Sequence, residues 1–320
     1  MGRIVYAFRS RRVRIAVNGF FVAAALTAAV LTALHFMHTG WPLAHANPYL
    51  VGGAGALFVA AFGFKAWGWQ RLFAEGDRPK ALNLAAAGGA ASVGGVALPG
   101  RFDEAIRIAV VRKLPGTKVG FGALALTLIV VGLLDSAALT PMASVAAAAS
   151  HHGGVQAGFA LVAAAGLAAA LLVFFLPRIA RFGWIARFKI GRWLQEHCAC
   201  RRSASEAWFL ISVSWALRGL AVFVLLNALS VGSSFALALA FLCASAASAA
   251  LPIAPAGAAT QAGAGAAILI VSGVPKTEAL AFSVAAQAMV IVVGAAVVAA
   301  ATLWHVGVRV LRPARSAATA

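Results

Sequence analysis

Apolar residues in this chain run in long unbroken blocks, and polar residues crowd into the short intervals between them. Six blocks hold about 20 to 25 residues each: Ile15 to Leu34, Tyr49 to Phe73, Val119 to Thr140, Ala157 to Leu176, Glu206 to Leu229 and Ala279 to Leu303. At 1.5 Å of rise per residue, about 20 residues cross a ~30 Å hydrocarbon layer, so each block predicts a spanning helix. Two further stretches are interrupted. Ala81 to Leu98 stops at Pro99-Gly100, and Phe235 to Leu251 meets Pro252 and Pro255 before a second run from Gly257 to Ser272. Proline lacks the N–H that a helix interior needs, so these positions predict helix breaks. Each broken pair reads as a re-entrant hairpin or as two short spans; both leave the parity of the following spans unchanged. The predicted fold class is all-α: a polytopic helical membrane bundle with about six full spans plus two broken or re-entrant hairpins.

Composition removes the soluble alternative. The chain is 62% hydrophobic and 11% charged, whereas soluble domains are about 45–50% apolar and about 25% charged. Its formal net charge of +18 does not point to nucleic acid, because Lys and Arg sit in tracts at the ends of apolar blocks. Of 26 such residues, Lys65 and Arg218 lie within apolar runs; alternating the remaining 24 across the membrane puts 23 on one side and Lys276 alone on the other. That asymmetry is the positive-inside pattern. It predicts a multi-pass protein of a bacterial-type inner (plasma) membrane with both termini cytoplasmic, in contact with anionic headgroups at that face. Ala44-His45-Ala46 resembles a signal cleavage site, but it lies far beyond a first run that is long for a signal peptide, and an uncleaved first span is expected.

The expected organisation is one membrane domain, 1–320, with a basic cytoplasmic N-terminus at 1–14 and a cytoplasmic tail at 305–320. The segment 178–205 alternates basic residues with Phe182, Trp184, Phe188 and Trp193, which predicts a cytoplasmic amphipathic linker lying on anionic lipid. Segments 81–140 and 235–304 look like two copies of one unit. Each has a small-residue run, an Ala-Leu-Pro break, a second short segment, a further proline and a long span containing Ile-Val-Val-Gly. The first enters from inside and the second from outside, so the pair is an expected inverted repeat, the device by which many transporters build a midplane site. Unwound backbone in a membrane requires protein or a wet cavity around it, so a buried cavity is expected between the two breaks.

Residues at and after the breaks resemble the transmembrane region of lysylphosphatidylglycerol synthases, the flippase-like family. Leu98-Pro99-Gly100-Arg101 with Glu104 and Arg107 resembles its P-G-R-x-x-E segment, and Asp135 matches the acidic residue of the following span. Leu251-Pro252-Ile253-Ala254-Pro255 with Gly257 is similar to its second Pro-Gly segment, and Gly273-Val274-Pro275 with Glu278-Ala279 to the turn beyond. The likeness covers roughly residues 13 to 305. It implies a domain with two re-entrant elements that moves lipids or lipid-linked groups between leaflets, in some members beside a soluble aminoacyltransferase that these residues do not include. Gln261 stands where the family usually has Glu, Gln287 where a basic residue is common, and Val131-Gly132 in place of a charged pair.

The candidate substrate-binding residues are Arg101, Asp103, Glu104, Arg107, Asp135, Arg218 and Gln261. On a helix, Arg101–Glu104 and Glu104–Arg107 are i,i+3 pairs and Asp103–Arg107 an i,i+4 pair, so the carboxylates can orient the guanidinium groups. Arginine suits a phosphate because its planar fork donates two parallel bonds. Arg218 lies within an apolar block, where a charge costs roughly 2.5–3.5 kcal/mol on insertion scales and is expected to face the bundle, there to serve a ligand or to pair with Asp135 as its opposite charge. Lys65, nearer a helix end, is expected to snorkel to the interface. His197-Cys198-Ala199-Cys200 has the wrong spacing for a metal site, and no phosphate-binding loop or dinucleotide fingerprint occurs, so no metal, cofactor or catalytic residue is expected. The expected function is translocation of a phospholipid or lipid-linked intermediate. Alternatives are a membrane-embedded lipid-modifying enzyme, an accessory subunit of a separate one, or a small-solute exporter.

Overall fold

The computed structural model describes residues 46–95, 102–114, 119–179, 201–250 and 257–317. Among them the order is α1 (Pro48–Arg71), a 3-10 turn (Glu75–Asp77), α2 (Ala81–Gly94), α3 (Phe102–Lys113) and α4 (Phe121–Ala149). There follow α5 (Gly153–Ile179), α6 (Arg201–Ala228), α7 (Phe235–Ala250), α8 (Gly257–Val271) and α9 (Lys276–Ala317). The described fold is all-helical. Five helices are long and apolar enough to cross a membrane: α1, α4, α5, α6 and the Lys276–Gly307 part of α9. The first predicted block, most of the amphipathic linker, and Pro99, Gly100, Arg101, Pro252 and Pro255 lie outside the described residues. The short helices α2, α7 and α8 are apolar, while α3 carries charge at both ends.

Local chemistry explains where α1 begins. Asn47 caps it by accepting from the Tyr49 N–H, and Pro48 occupies the first turn, where a missing N–H costs nothing. From there α1 runs antiparallel to α6 through the centre of the bundle. At one end the Asn47 N–H donates to the Ala228 carbonyl at 3.4 Å; at the other, Arg71 meets Glu206 at 3.5 Å. Between them the buried Ser214 hydroxyl donates to the Ala61 carbonyl at 2.7 Å. Gly68 leaves room for Ile211 and the Ala207 carbonyl, which a methyl group there would strike.

Two of the shorter helices pack on this pair in similar fashion, while α5 packs chiefly on α4. Helix α2 packs on α1 and on α9; α7 packs on α6 and on α4. Each is followed by a helix that folds back on it, α3 on α2 and α8 on α7. At the α2–α9 crossing the backbones touch: a Cβ on Gly89 would collide with the Gly294 carbonyl, and one on Gly294 would stand 3.0 Å from the Gly89 carbonyl. Small residues permit this approach where apolar burial gives little drive between helices.

Helix α4 differs from its predicted extent. It continues past Thr140 and Pro141 to Ala149, so Asp135, expected near the end of a span, lies halfway along it. A proline inside a membrane helix is tolerated where neighbours satisfy the disturbed backbone. Here α5 seats Gly166 against the Ser136 carbonyl and the Thr140 hydroxyl. Large apolar side chains such as Leu161, Val292 and Leu303 are exposed on the outer helices. They are the surface a bilayer would cover.

Candidate functional site

A cavity of about 220 Å³ opens among the ends of α2, α3, α7 and α8 that flank the two predicted breaks. Gly95 and Asp103 line it beside the first break, Ala249 and Ala258 beside the second. Helix α1 contributes Phe62, Lys65, Ala66 and Trp69, positions i, i+3, i+4 and i+7 of one helical face. Helix α6 contributes Arg218, α3 contributes Arg107, α8 contributes Thr260 and Gln261, and α9 contributes Gln287.

Charge within the cavity is unbalanced. Lys65 Nζ lies 2.7 Å from Asp135 Oδ2, each side chain 19% exposed. The other carboxylate oxygen, Oδ1, accepts from Trp215 Nε1 at 2.8 Å. Asp135 is therefore held by two helices, α1 and α6. Arg107 reaches Asp103 one turn away at 3.3 Å. Arg218 has no acid within ion-pair distance among the described residues, and its buried Nε lacks a hydrogen-bond partner. Its guanidinium instead lies over two aromatic faces, 5.5 Å from Phe62 and 5.2 Å from Trp215, while sensing the charges of Asp135 and Arg107. Three cations thus share the site with two carboxylates, each already engaged. A cation over π-faces is partly compensated, but a buried N–H with no acceptor costs about 1–3 kcal/mol. An anionic ligand would relieve that cost.

Of the sequence-predicted residues, Asp103, Arg107, Arg218 and Gln261 line one cavity, and Asp135 adjoins it through Lys65. Glu104 lies on α3 without lining the cavity, and it has an interaction of its own. Gly257 begins α8, at the second break. One expectation is corrected: Lys65 does not snorkel to an interface but turns inward to Asp135, so of the two roles expected for Arg218 the ion pair with Asp135 is not formed, and it meets no acid among the described residues. The reason is geometric: with α4 extended to Ala149, Asp135 sits mid-helix against α1 and α6 together, and the lysine takes it. Sequence reasoning passed over Trp215, Phe62 and Thr260. The Phe62, Lys65, Ala66, Trp69 periodicity was the available signal that Lys65 faces inward. Trp215 carried a similar one, three residues before Arg218 on α6.

Comparison with known proteins gives one match. The family model for the lysylphosphatidylglycerol synthase TM region matches residues 13–309, nearly the whole chain. No curated protein sequence and no solved structure matches.

Proposed function

Since the chain belongs to the lysylphosphatidylglycerol synthase transmembrane family and is a multi-pass membrane protein of the lipid metabolism or transport type, we propose that it moves a phospholipid or lipid-linked intermediate between leaflets of the plasma membrane. The headgroup would occupy the cavity among these helix ends while the acyl chains stay in the bilayer. One observation carries this reading: Arg218 is a half-buried cation whose Nε is buried without a hydrogen-bond partner and which meets no acid among the described residues, facing a cavity that also holds Arg107 and Lys65. A phosphate supplies the charge and the acceptor oxygens that such a set lacks.

The paired packing of the helices supports an alternating mechanism. Under the correspondence α1 to α6, α2 to α7, α3 to α8 and α4 to α9, the packing of α2 on α9 mirrors that of α7 on α4. Such packing supports an inverted repeat, a device whose halves can exchange conformations to open a midplane site to either side. In the orientation that the basic tracts favour, both termini are cytoplasmic.

The test uses the full chain reconstituted in liposomes with acyl-labelled phosphatidylglycerol, scored by chemical quenching of the outer leaflet. Wild type should equilibrate the label between leaflets. Each charged hydrogen bond is worth about 1.5–3 kcal/mol, so Arg107→Ala and Arg218→Ala should slow transfer by about tenfold to a hundredfold. Equal rates in wild type and both variants would remove these arginines from the site. Failure to transfer any lipid would remove the translocase reading.

A further inference from the structure

The cavity is polarised, and the polarity defines a class of headgroup. Its cations come from α1, α3 and α6 (Lys65, Arg107 and Arg218), whereas the wall built by α8 and α9 presents only neutral polar groups: Thr260, Gln261 and Gln287. Neither the Gln261 nor the Gln287 carboxamide has a side-chain partner among the described residues. Each offers two donors and an acceptor. The two carboxylates are committed, Asp135 to Lys65 and Trp215, Asp103 to Arg107.

From this we infer that the ligand is a phosphodiester carrying a short, uncharged, hydroxyl-bearing group, with the phosphate toward Arg107 and Arg218 and the hydroxyls toward Gln261 and Gln287. The inference rests on the proposed leaflet transfer only for its lipid source. A headgroup bearing an ammonium, whether an ethanolamine or an aminoacyl ester, meets an excess of positive charge and no uncommitted carboxylate. Burying an unpaired charge is expensive, so such headgroups are rejected.

The experiment compares acyl-labelled lipids in the same proteoliposomes: phosphatidylglycerol, phosphatidylmethanol, which has the same charge without the hydroxyls, and lysylphosphatidylglycerol. Purified protein is tested in parallel for thermal stabilisation by glycerol 3-phosphate and by inorganic phosphate. Wild type should transfer phosphatidylglycerol at least about tenfold faster than either other lipid, because a site built to bond hydroxyls discriminates against ligands lacking them. Gln261→Leu/Gln287→Leu should bring the phosphatidylglycerol to phosphatidylmethanol ratio close to one. Should that variant fail to fold, Gln287→Glu, which changes little but charge, should raise lysylphosphatidylglycerol transfer relative to phosphatidylglycerol severalfold. Phosphatidylglycerol and phosphatidylmethanol moving equally in wild type, or lysylphosphatidylglycerol moving fastest, would overturn the headgroup assignment and leave translocation intact. No lipid transfer, with glycerol 3-phosphate still stabilising the protein better than phosphate, would keep the headgroup chemistry, assign it to a soluble ligand and sink the translocase. No transfer and no preferential stabilisation would end both.

Discussion

Asparagine at position 135 is the most informative single change, because one carboxylate there serves partners on two other helices. Asp135→Asn removes the charge between Lys65 at 2.7 Å and the Trp215 indole at 2.8 Å. Lys65, Arg107 and Arg218 then share the cavity with Asp103 alone. Removing one member of a buried pair costs about 3–5 kcal/mol, and the upper part of that range applies where the stranded charge has like-charged neighbours. Lys65→Met should cost less. The carboxylate keeps its bond from Trp215, and the positive charge of Arg218 still favours its ionised form. What remains is the loss of one charged hydrogen bond, about 1.5–3 kcal/mol. In Lys65→Met/Asp135→Asn both charges are gone, the carboxamide oxygen can still accept from the Trp215 indole, and replacing both members of such a pair costs far less than stranding one. The double variant should therefore be more stable than Asp135→Asn, with a coupling of about 2 kcal/mol or more. Reversible unfolding in mixed detergent micelles, followed by helical circular dichroism, measures all three. Additive effects, or an Asp135→Asn cost under about 1 kcal/mol, would refute the claim that the half-buried pair is energetically coupled.

Three further outcomes follow from the same geometry. Arg218→Met removes a half-buried cation that meets no acid among the described residues, so thermal stability should hold or rise while lipid transfer falls at least about tenfold; a large loss of stability would mean the guanidinium is structural. Gly89→Ala drives a methyl group into the Gly294 carbonyl and should lower stability by about 1–3 kcal/mol through overpacking, whereas Gly52→Ala, which meets nothing within 4 Å, should change it little; both are read from melting curves. Glu206→Gln cuts ion pairs with Arg71 and Arg202 whose side chains are largely exposed. Its effect should stay under about 1 kcal/mol and shrink further with added salt.

Much of the fold was legible because membrane helices announce themselves by length and apolarity. The block Tyr49 to Phe73 became Pro48–Arg71, and the pieces flanking the second break became Phe235–Ala250 and Gly257–Val271, each within a residue or two. The cavity is lined by the helix ends that flank the predicted breaks, where backbone leaving a helix inside a bilayer would need a wet or protein-lined space. Pairing among the charges was not legible. Whether Lys65 or Arg218 takes Asp135 depends on how far α4 extends, and Pro141 hid its continuation to Ala149. The neutral wall was missed in part because glutamine and threonine are unremarkable in isolation. Gln287 gains meaning only when α9 folds back to face Arg218.

Chain order gives the Asp135 contact one more consequence. Lys65 precedes Asp135 by 70 residues, so during synthesis the lysine-bearing helix emerges first and its ammonium is already at hand when the carboxylate arrives. The indole of Trp215 comes 80 residues later still. The acidic span therefore enters the lipid beside a counter-ion instead of waiting for one, and the last contact merely locks a neutral pair in place.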